Sequence, residues 1–325
     1  MAESASQPLH PSSINRVVSV ITAQAIAAST RFCAVLGQPI RHSASPAMQN
    51  AALDALGLDW RYLAFEVPPD QLKSAIEGCQ AMRFIGLNLT VPHKLLAVDL
   101  VDLLDSSARD WGAVNTILFE ARAPSGEWRP LVDFKDTVPS DVRSVGYNTD
   151  ADAIVQSLEE DLKISLRGLR VLLLGAGGAG RVAAIRFASV GVAAIHLVNR
   201  TQTTAEELAE EIRRRFPATH TLTGYPRRGE KVDLVLNATS LGLRSSDALP
   251  FDAAQFSFQA NASAYDMIYR PAETPFLAAA REAGCRVSNG LGMLLHQGAK
   301  ALEIWTGARA PVGVMRDALK KHIYG

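Results

Sequence analysis

The chain of 325 residues has only three cysteines, and their scarcity excludes several classes of protein. Cys33, Cys79 and Cys285 lie far apart in the sequence, and no two of them form a C-x-x-C pair. This pattern argues against a disulfide scaffold and against a zinc site, and it favours a reducing compartment, the cytoplasm. Because no cluster of His and Cys residues offers metal ligands, we expect chemistry that needs no metal ion.

The sequence also lacks a net charge and a long apolar run. Its 33 basic residues balance 33 acidic ones, so no overall field attracts nucleic acid or an anionic membrane surface. No stretch approaches the roughly 20 apolar residues that a membrane-spanning helix needs. The basic run 213–215, with Arg227 and Arg228, follows several glutamates on a predicted helix, and we expect a solvated face there. Residues 1–30, rich in Ser and Ala, predict a flexible N-terminal extension.

What the chain does contain is a glycine-rich turn behind a buried strand. An apolar run over 171–174 is followed by Gly175, Gly177 and Gly180 in the spacing G-x-G-x-x-G. This spacing gives a tight turn, lets the backbone approach a pyrophosphate closely, and places the anion at a helix start. The segment therefore predicts a dinucleotide site.

The end of the next predicted strand indicates which dinucleotide binds. NAD sites carry an acidic residue about 20 positions after the turn, where it holds the ribose 2′-hydroxyl. Here the strand over 193–198 ends in Asn199 and Arg200. A guanidinium can bind a 2′-phosphate, whereas a carboxylate would repel it. We therefore predict NADP as the cofactor.

Short strands alternate with helices from residue 32 onward, which predicts an α/β fold with mainly parallel sheets. Strands are predicted over 32–36, 62–67, 84–89 and 114–120, and helices over 46–56 and 70–82. The segment 123–143, rich in Pro, Ser, Gly and charge, predicts an extended loop or hairpin insertion.

Since the glycine turn lies in mid-chain, we expect two α/β domains with a cleft between them. Residues 31–147 and 291–325 would form a substrate-binding, catalytic domain, and residues 148–290 a Rossmann-like NADP domain. A long helix from about residue 291 would cross back to the first domain and place Gln297 in the cleft.

Polar side chains cluster where the strands of the first domain are predicted to end. Ser43 and Ser45 flank the start of a helix, where hydroxyl groups suit a carboxylate. Asn88 and Thr90 alternate with apolar neighbours, so both face the same side of a strand end. Open α/β sheets bind ligands at such strand ends.

Two ionisable residues stand beside these clusters. Lys94 follows Thr90 within one helical turn, and Asp150 occupies another strand-to-helix junction, while Asn115 ends a third predicted turn. Hydride transfer to a nicotinamide leaves a hydroxyl that must lose its proton in the same region. Lys94 and Asp150 are therefore the acid–base pair that we predict.

Eight ordered segments together resemble the shikimate dehydrogenase family, and the resemblance covers nearly all of residues 31–310. The segments are GQPIRHSASP (37–46), NLTVPHK (88–94), GAVNT (112–116), GYNTD (146–150), NATSLG (237–242), DMIYRP (266–271), GLGMLLHQG (290–298) and WTG (305–307). The resemblance implies reversible NADP-linked oxidation of a ring hydroxyl of shikimate to the ketone of 3-dehydroshikimate, a step of aromatic amino acid biosynthesis. It also implies a monomer or a homodimer.

The resemblance implies a role for each matching residue, with Lys94 moving the proton and Asp150 holding both the lysine and the hydroxyl. The substrate carboxylate would be bound by Ser43, Ser45 and Tyr269. Ring hydroxyls would be held by Asn88, Thr90, Asn115, Asp150 and Gln297. The pyrophosphate would be seated by Gly175, Ala176, Gly177, Gly178, Ala179 and Gly180. The 2′-phosphate would be bound by Asn199, Arg200 and Thr201. The nicotinamide side would be lined by Thr239, Ser240, Met267 and Gly290.

Two alternatives remain open from the sequence. Gln49 stands where many members carry histidine, and its neighbourhood is similar to the quinate/shikimate dehydrogenase branch, so quinate or NAD use is one alternative. Against it, the segments 88–90 and 199–201 are similar to the NADP-specific biosynthetic branch. The other alternative is a catalytically silent NADP-binding sensor that keeps the fold.

Overall fold

The structure is a computed structural model that describes residues 26–134, 137–244 and 246–325. Most of the predicted flexible extension, residues 1–25, lies outside the described residues. Residues 26–30 lead into the first strand, and the hydroxyl of Thr30 donates a hydrogen bond of 2.8 Å to Asp59 Oδ1. No helix in this described part of the chain has the length and apolar content needed to cross a membrane.

Seven strands of the described residues form the first sheet. They are β1 (Arg31–Gly37), β2 (Trp60–Glu66), β3 (Gly86–Leu89), β4 (Leu103–Leu104), β5 (Thr116–Arg122), β6 (Trp128–Pro130) and β7 (Val142–Tyr147). The order is β2-β1-β3-β5-β7-β4, with β6 paired to β5. The accompanying helices are α1 (Ser45–Ala55), α2 (Leu72–Ala81), α3 (His93–Leu96) and α4 (Ser106–Trp111).

This first sheet contains both parallel and antiparallel neighbours. β1 runs parallel to β2 and β3, and its apolar segment 33–36 is buried, as expected for a strand covered on both faces. β5 runs antiparallel to β3, β6 and β7. The predicted insertion at 123–143 contains the short hairpin strand β6 and the start of β7, a strand that the sequence pattern does not indicate.

The second sheet is wholly parallel in the described residues, and its order matches that of doubly wound dinucleotide-binding folds. Its strands are β8 (Arg170–Leu174), β9 (Ala194–Val198), β10 (His220–Thr223), β11 (Leu234–Asn237), β12 (Ser263–Asp266) and β13 (Arg286–Asn289). The order is β10-β9-β8-β11-β12-β13. The chain therefore reverses its direction of winding between β8 and β11, which is where such folds bind ligands. The predicted α/β architecture is confirmed.

The helices of this half are α5 (Asp150–Leu162), α6 (Gly178–Ser189), α7 (Gln202–Arg215) and α8 (Pro275–Glu282). Two further helices, α9 (Leu291–Thr306) and α10 (Val312–Tyr324), pack back onto α1. The indole nitrogen of Trp305 on α9 donates to the Ile117 carbonyl of β5 over 3.0 Å. A Cβ atom on Gly86 would overlap this indole, so glycine is needed there for the close packing. The predicted long helix after residue 291 thus crosses from the second sheet to the first.

Candidate active site

A cavity of about 300 Å³ lies where residues from both sheets meet. Eleven of the residues predicted from the sequence line it: Ser43, Ser45, Asn88, Thr90, Lys94, Asp150, Ala179, Met267, Tyr269, Gly290 and Gln297. The remaining lining residues are Val35, Pro39, Ile40, His42, Leu89, Met293 and Leu294. Most of these additions are apolar, and such residues exclude water around a few convergent polar groups.

Lys94 and Asp150 form an ion pair at this cavity. Lys94 lies in α3, directly after β3, whereas Asp150 is the first residue of α5, directly after β7. The Nζ atom of Lys94 lies 2.7 Å from Oδ2 of Asp150, and the two side chains are 20% and 3% exposed. The lysine thus keeps a face toward the cavity while the carboxylate is enclosed. The pair therefore has the geometry to hold a proton carrier in place.

Backbone and side-chain hydrogen bonds fix the pair from behind. The N–H of Val114 donates to the carbonyl of Lys94 over 2.8 Å. Asn115 Oδ1 accepts from the N–H of Thr149 over 2.8 Å, and Asn115 Nδ2 donates to the Thr149 hydroxyl over 2.9 Å. Asn115 is buried and does not line the cavity. Its amide therefore supports the residue that precedes Asp150 instead of facing the cavity.

Three hydroxyl groups gather at one end of the cavity. Ser43 Oγ accepts from the N–H of Ser45, the first residue of α1, over 3.3 Å, and the N-cap residue itself is Ala44, whose side chain has no acceptor. Burial raises the pKa of Tyr269, and a hydrogen bond from the backbone of Ala44 opposes that rise. Tyr269 therefore stays protonated at neutral pH. Hydroxyl groups and the positive end of a helix together suit a carboxylate.

Asn88 lines the cavity from within a buried polar network. Its Oδ1 atom accepts from the hydroxyl of Tyr62 over 2.8 Å, and its Nδ2 atom donates to the hydroxyl of Thr116 over 3.0 Å. Burial raises the pKa of Tyr62 well above its ordinary value, so its hydroxyl remains a donor. Tyr62 was not predicted, because it lies inside an ordinary apolar strand pattern. Gln297 Nε2, opposite, donates to the carbonyl of Leu294 within α9 over 2.9 Å.

Among the described residues that line the cavity, His42 is the one ionisable residue to which the sequence assigned no role. It precedes Ser43 in the segment 37–46, and it is exposed at the rim. The sequence signal that could have identified His42 as a cavity residue is its position directly before Ser43.

The glycine turn has the shape that a pyrophosphate requires. Gly175 has φ of +101°, a conformation that side chains with a Cβ atom rarely adopt. A Cβ atom on Gly180 would overlap the carbonyl oxygen of Gly175, so the third glycine permits close packing of turn and helix. No described residue lies within 4 Å of a Cβ atom built on Gly177 or Gly178, so the start of α6 is open within this part of the chain. Residues of this kind fit a dinucleotide phosphate.

The segment after β9 contacts the turn through Asn199. Its Oδ1 atom accepts from the N–H of Ala176 over 3.0 Å, and its Nδ2 atom donates to the carbonyl of Thr201 over 2.9 Å. Both ends of this amide are therefore used to join the two segments. Arg200 between them is exposed, and its guanidinium has no ion-pair or hydrogen-bond partner among the described residues. A free cation next to the turn fits a 2′-phosphate.

The segments after β11 and β12 meet at a buried carboxylate. Asp266 Oδ1 accepts from Asn237 Nδ2 over 3.0 Å, and Asp266 Oδ2 accepts from the hydroxyl of Thr274 over 2.6 Å. Burial raises the pKa of Asp266, and these hydrogen bonds oppose the rise. Asn237 Oδ1 in turn accepts from the hydroxyl of Thr239 over 2.7 Å. The network orders the two loops that carry Thr239 and Met267.

The predicted nicotinamide-side residues are divided between the cavity and the turn. Met267 and Gly290 line the cavity, and a Cβ atom on Gly290 would overlap the Met267 carbonyl. Thr239 lies instead against the glycine turn, with its methyl carbon 3.0 Å from the position of a Cβ atom on Gly175. Ser240 follows Thr239 and is exposed. Within the described residues, no group of three or more His, Cys, Asp or Glu residues is placed to hold a metal ion.

Comparisons with known proteins match both halves of the chain. The family model described as the shikimate dehydrogenase substrate binding domain matches residues 35–117. The model described as shikimate / quinate 5-dehydrogenase matches residues 157–243. The model described as the shikimate 5'-dehydrogenase C-terminal domain matches residues 290–320.

Individual relatives agree with these matches over almost the whole chain. The shikimate dehydrogenase (NADP(+)) of Geobacter metallireducens is 40% identical over 298 residues, which cover 90% of this chain and 96% of that protein. A crystal structure of a shikimate dehydrogenase in complex with NADP+ is 32% identical, with a TM-score of 0.79 over 93% of this chain and 98% of the other. The Thermus thermophilus enzyme in complex with NADP(H) and shikimate is 34% identical, with a TM-score of 0.73 over 90% and 99%. This chain belongs to the shikimate dehydrogenase family.

Proposed function

We propose that this chain catalyses the reversible, NADP-dependent oxidation of shikimate to 3-dehydroshikimate, a step of aromatic amino acid biosynthesis. The observation that carries the proposal is the Lys94–Asp150 pair, 2.7 Å apart, in a cavity that also contains residues from the cofactor half. A catalytically silent sensor would have no use for such a pair. The relatives named above are shikimate dehydrogenases that use or bind NADP, which supports the same assignment.

The two halves of the chain have separate roles in this proposal. Residues 31–147 with 291–325 bind the substrate, and residues 148–290 bind NADP. Most polar residues of the cavity support this division, because they lie in the first part of the chain, whereas Met267 and Gly290 lie in the second; they are Ser43, Ser45, Asn88, Thr90, Lys94 and Gln297. Asp150 and Tyr269 are the polar lining residues that the second part contributes to the substrate side. The functional protein would be a monomer or a homodimer that acts on a small molecule, with no nucleic acid or membrane partner. Three free, buried cysteines support a cytoplasmic location.

The substrate carboxylate is assigned to the hydroxyl groups at the α1 end of the cavity. Ser43, Ser45 and Tyr269 each present an oxygen there, at the start of α1. The ring hydroxyls are assigned to the polar groups deeper in the cavity. These groups are Asn88, Thr90, Asp150 and Gln297. Asn115 contributes by holding Thr149, as its hydrogen bonds indicate.

The chemical step separates a hydride from a proton. Bound NADP+ supplies the acceptor for the hydride that leaves the ring carbon. As the neutral amine, Lys94 Nζ takes the proton of the hydroxyl on that carbon and becomes the ammonium that pairs with Asp150, and this ammonium returns the proton in the reverse reaction. Asp150 Oδ2 accepts a hydrogen bond from Nζ and so fixes the direction in which the lysine exchanges the proton. Electrons and protons then balance, because the alcohol loses one hydride and one proton to become the ketone.

The cofactor is assigned to the switch point between β8 and β11. The glycine turn 175–180 seats the pyrophosphate, and the open space beside Gly177 and Gly178 leaves room for it. Arg200, which has no partner among the described residues, binds the 2′-phosphate, while Asn199 holds its segment against the turn. Thr201 is the N-cap residue of α7 and follows them in the chain.

The test is a matrix of initial rates for shikimate and quinate, each with NADP+ and with NAD+. The proposal predicts the highest kcat/KM for shikimate with NADP+. A higher kcat/KM for quinate than for shikimate would contradict the proposed substrate. A higher kcat/KM with NAD+ than with NADP+ would contradict the proposed cofactor. No reduction of either cofactor by either acid, in a protein that binds NADPH, would favour the silent sensor.

A further inference from the structure

Polar contacts also join the two halves of the chain outside the cavity, and one group of them lies at the C-terminal end of α4. Arg181 on α6 donates through Nη1 to the carbonyl of Trp111 over 2.6 Å. Arg215 on α7 donates through Nη2 to the carbonyl of Asp110 over 2.6 Å. Glu211 lies between the two arginines. We call these three side chains, with the two carbonyls that they hold, the α4 clamp.

Glu211 makes the α4 clamp a single unit. Its carboxylate accepts from Arg181 Nη2 through both oxygens, at 2.8 and 2.6 Å, and from Arg215 Nη1 at 2.9 Å. The side chains of Arg181 and Glu211 are 27% and 20% exposed, so solvent screens them only in part. Cations at the C-terminal end of a helix are also stabilised by its backbone dipoles.

The end of α4 leads directly into the segment that supports the proton-transfer pair. Val114, three residues after Trp111, donates its N–H to the carbonyl of Lys94, and Asn115 holds Thr149 next to Asp150. The clamped carbonyls and the supports of both catalytic side chains thus lie within six consecutive residues, 110–115. On the other side, Arg181 belongs to the first turn of α6, which starts at the glycine turn.

We propose that Arg181, held by Glu211, is a positioning residue that sets the distance between the Lys94–Asp150 pair and the bound cofactor. Two structural connections support this role. Helix α6 starts at the turn assigned to the pyrophosphate, and the segment 110–115 supports both members of the pair through hydrogen bonds. Apolar packing of Val182 on Ala113 and Ala151 runs alongside the clamp. This inference rests on the proposed function, because it assumes hydride transfer across the cavity.

The variant that tests the clamp is Arg181→Lys, which keeps the charge but loses the planar fork that reaches Trp111 and Glu211 together. The matched control is Arg143→Lys. Arg143 pairs with Glu120 at 2.7 Å, the side chains are 26% and 14% exposed, and both lie in the first sheet. Its guanidinium also lies over a tryptophan ring, that of Trp128, at 4.3 Å. The control therefore reports the cost of losing a similar ion pair within one half.

We expect Arg181→Lys to lower kcat for shikimate oxidation by about tenfold relative to Arg143→Lys, because small displacements of reacting groups are costly. The Kd for NADPH should stay within about twofold of the wild-type value, since the turn itself is unchanged. Deuterium at the oxidised ring carbon should give a larger isotope effect on kcat in Arg181→Lys, because hydride transfer becomes slower. A loss of folding stability alone would not raise that effect. Glu211→Gln should change kcat in the same direction.

Equal kcat values and isotope effects in Arg181→Lys and Arg143→Lys would overturn the positioning role, as would a Kd for NADPH that rises in parallel with the fall in kcat. Amide hydrogen exchange of residues 106–116 in the NADPH complex gives a readout that does not need turnover. Faster exchange in Arg181→Lys than in wild type supports the clamp, and unchanged exchange contradicts it. Absence of shikimate oxidation in the wild type would refute the proposed function and leave this exchange result to decide the clamp.

Discussion

Lys94 Nζ lies 2.7 Å from Asp150 Oδ2, although the two residues are 56 positions apart in the chain. The contact is possible because β3 and β7 both end at the same part of the first sheet, on either side of β5. The lysine is partly exposed to the cavity and the aspartate is enclosed. This asymmetry suits a lysine that exchanges a proton with a ligand and an aspartate that holds it.

Replacing Arg200 should separate the two nicotinamide cofactors. In Arg200→Ala we expect KM for NADP+ to rise by one to two orders of magnitude, about 1–3 kcal/mol, because a charge-assisted bond to the 2′-phosphate is lost. KM for NAD+, which has no such phosphate, should change by less than about threefold. Steady-state kinetics with both cofactors measures the difference. Arg214→Ala, which removes an exposed charge from α7, is the control; equal effects on NADP+ and NAD+ in Arg200→Ala would remove Arg200 from 2′-phosphate binding.

The glycines of the turn should fall into two classes. Gly180→Ala should lower the free energy of unfolding by about 1–3 kcal/mol, because its Cβ atom would overlap the Gly175 carbonyl. Gly177→Ala should leave stability nearly unchanged, because no described residue lies within 4 Å of its Cβ atom. It should weaken the binding of NADPH, because the methyl group fills the space assigned to the pyrophosphate. Urea unfolding and fluorescence titration with NADPH measure the two effects. Gly313→Ala on α10 is the control, because no described residue lies within 4 Å of its Cβ atom, and it should lower neither stability nor the affinity for NADPH. An unchanged affinity for NADPH in Gly177→Ala would contradict the assignment of the pyrophosphate to the turn.

Acid should weaken the contact between α5, α9 and α10. Partial burial pushes the pKa of Glu160 upward, but hydrogen bonds from Gln156, His296 and Arg316 and the charge of His296 outweigh it and lower the pKa below 4.5. A carboxyl whose pKa is lowered by folding contributes stability that is present above its unfolded value and is lost as pH falls through its folded value. Glu160→Gln should therefore be less stable than wild type at about pH 7, and the difference should shrink below about pH 4.5.

Urea unfolding of both proteins at the two pH values measures this change. The exposed neighbour Glu159 provides the control, because Glu159→Gln should show no comparable difference between the two conditions. A constant gap between wild type and Glu160→Gln at all pH values would mean that the carboxylate charge does not stabilise the three-helix contact.

Local sequence patterns were sufficient for elements whose signals lie within a few residues. The apolar run before Gly175 forms β8, and the helix predicted over 46–56 is α1, Ser45–Ala55. The predicted cavity residues were also brought together, because they lie at or after strand ends of the two sheets that meet at the cavity. In contrast, β7 was not predicted: its sequence VRSVGY lacks a clear alternation, and it is stabilised by antiparallel pairing with β5. Such pairing depends on distant residues.

The roles of residues that depend on tertiary contacts also could not be predicted from local sequence patterns. Asn115 was predicted to face the substrate. In the structure its amide forms a hydrogen bond to Thr149, a residue 34 positions away that the sequence alone does not place beside it. The basic run 213–215 was predicted to be a solvated face. That prediction is wrong for Arg215, whose guanidinium binds Glu211 and the carbonyl of Asp110 on α4. Its hydrogen bonds to Glu211 and to the end of α4 distinguish Arg215 from its exposed neighbour Arg214.

The measurement that tests the account most directly is kcat for shikimate oxidation by Lys94→Ala with NADP+. Lys73→Ala, which removes an exposed lysine on α2, is the control. We predict a fall in kcat of about 10²–10⁴-fold, with a much smaller change in KM for shikimate, because the ring hydroxyl loses its proton acceptor while its other partners remain. A kcat for Lys94→Ala close to those of Lys73→Ala and wild type would contradict the account, since the proton would then leave by another route.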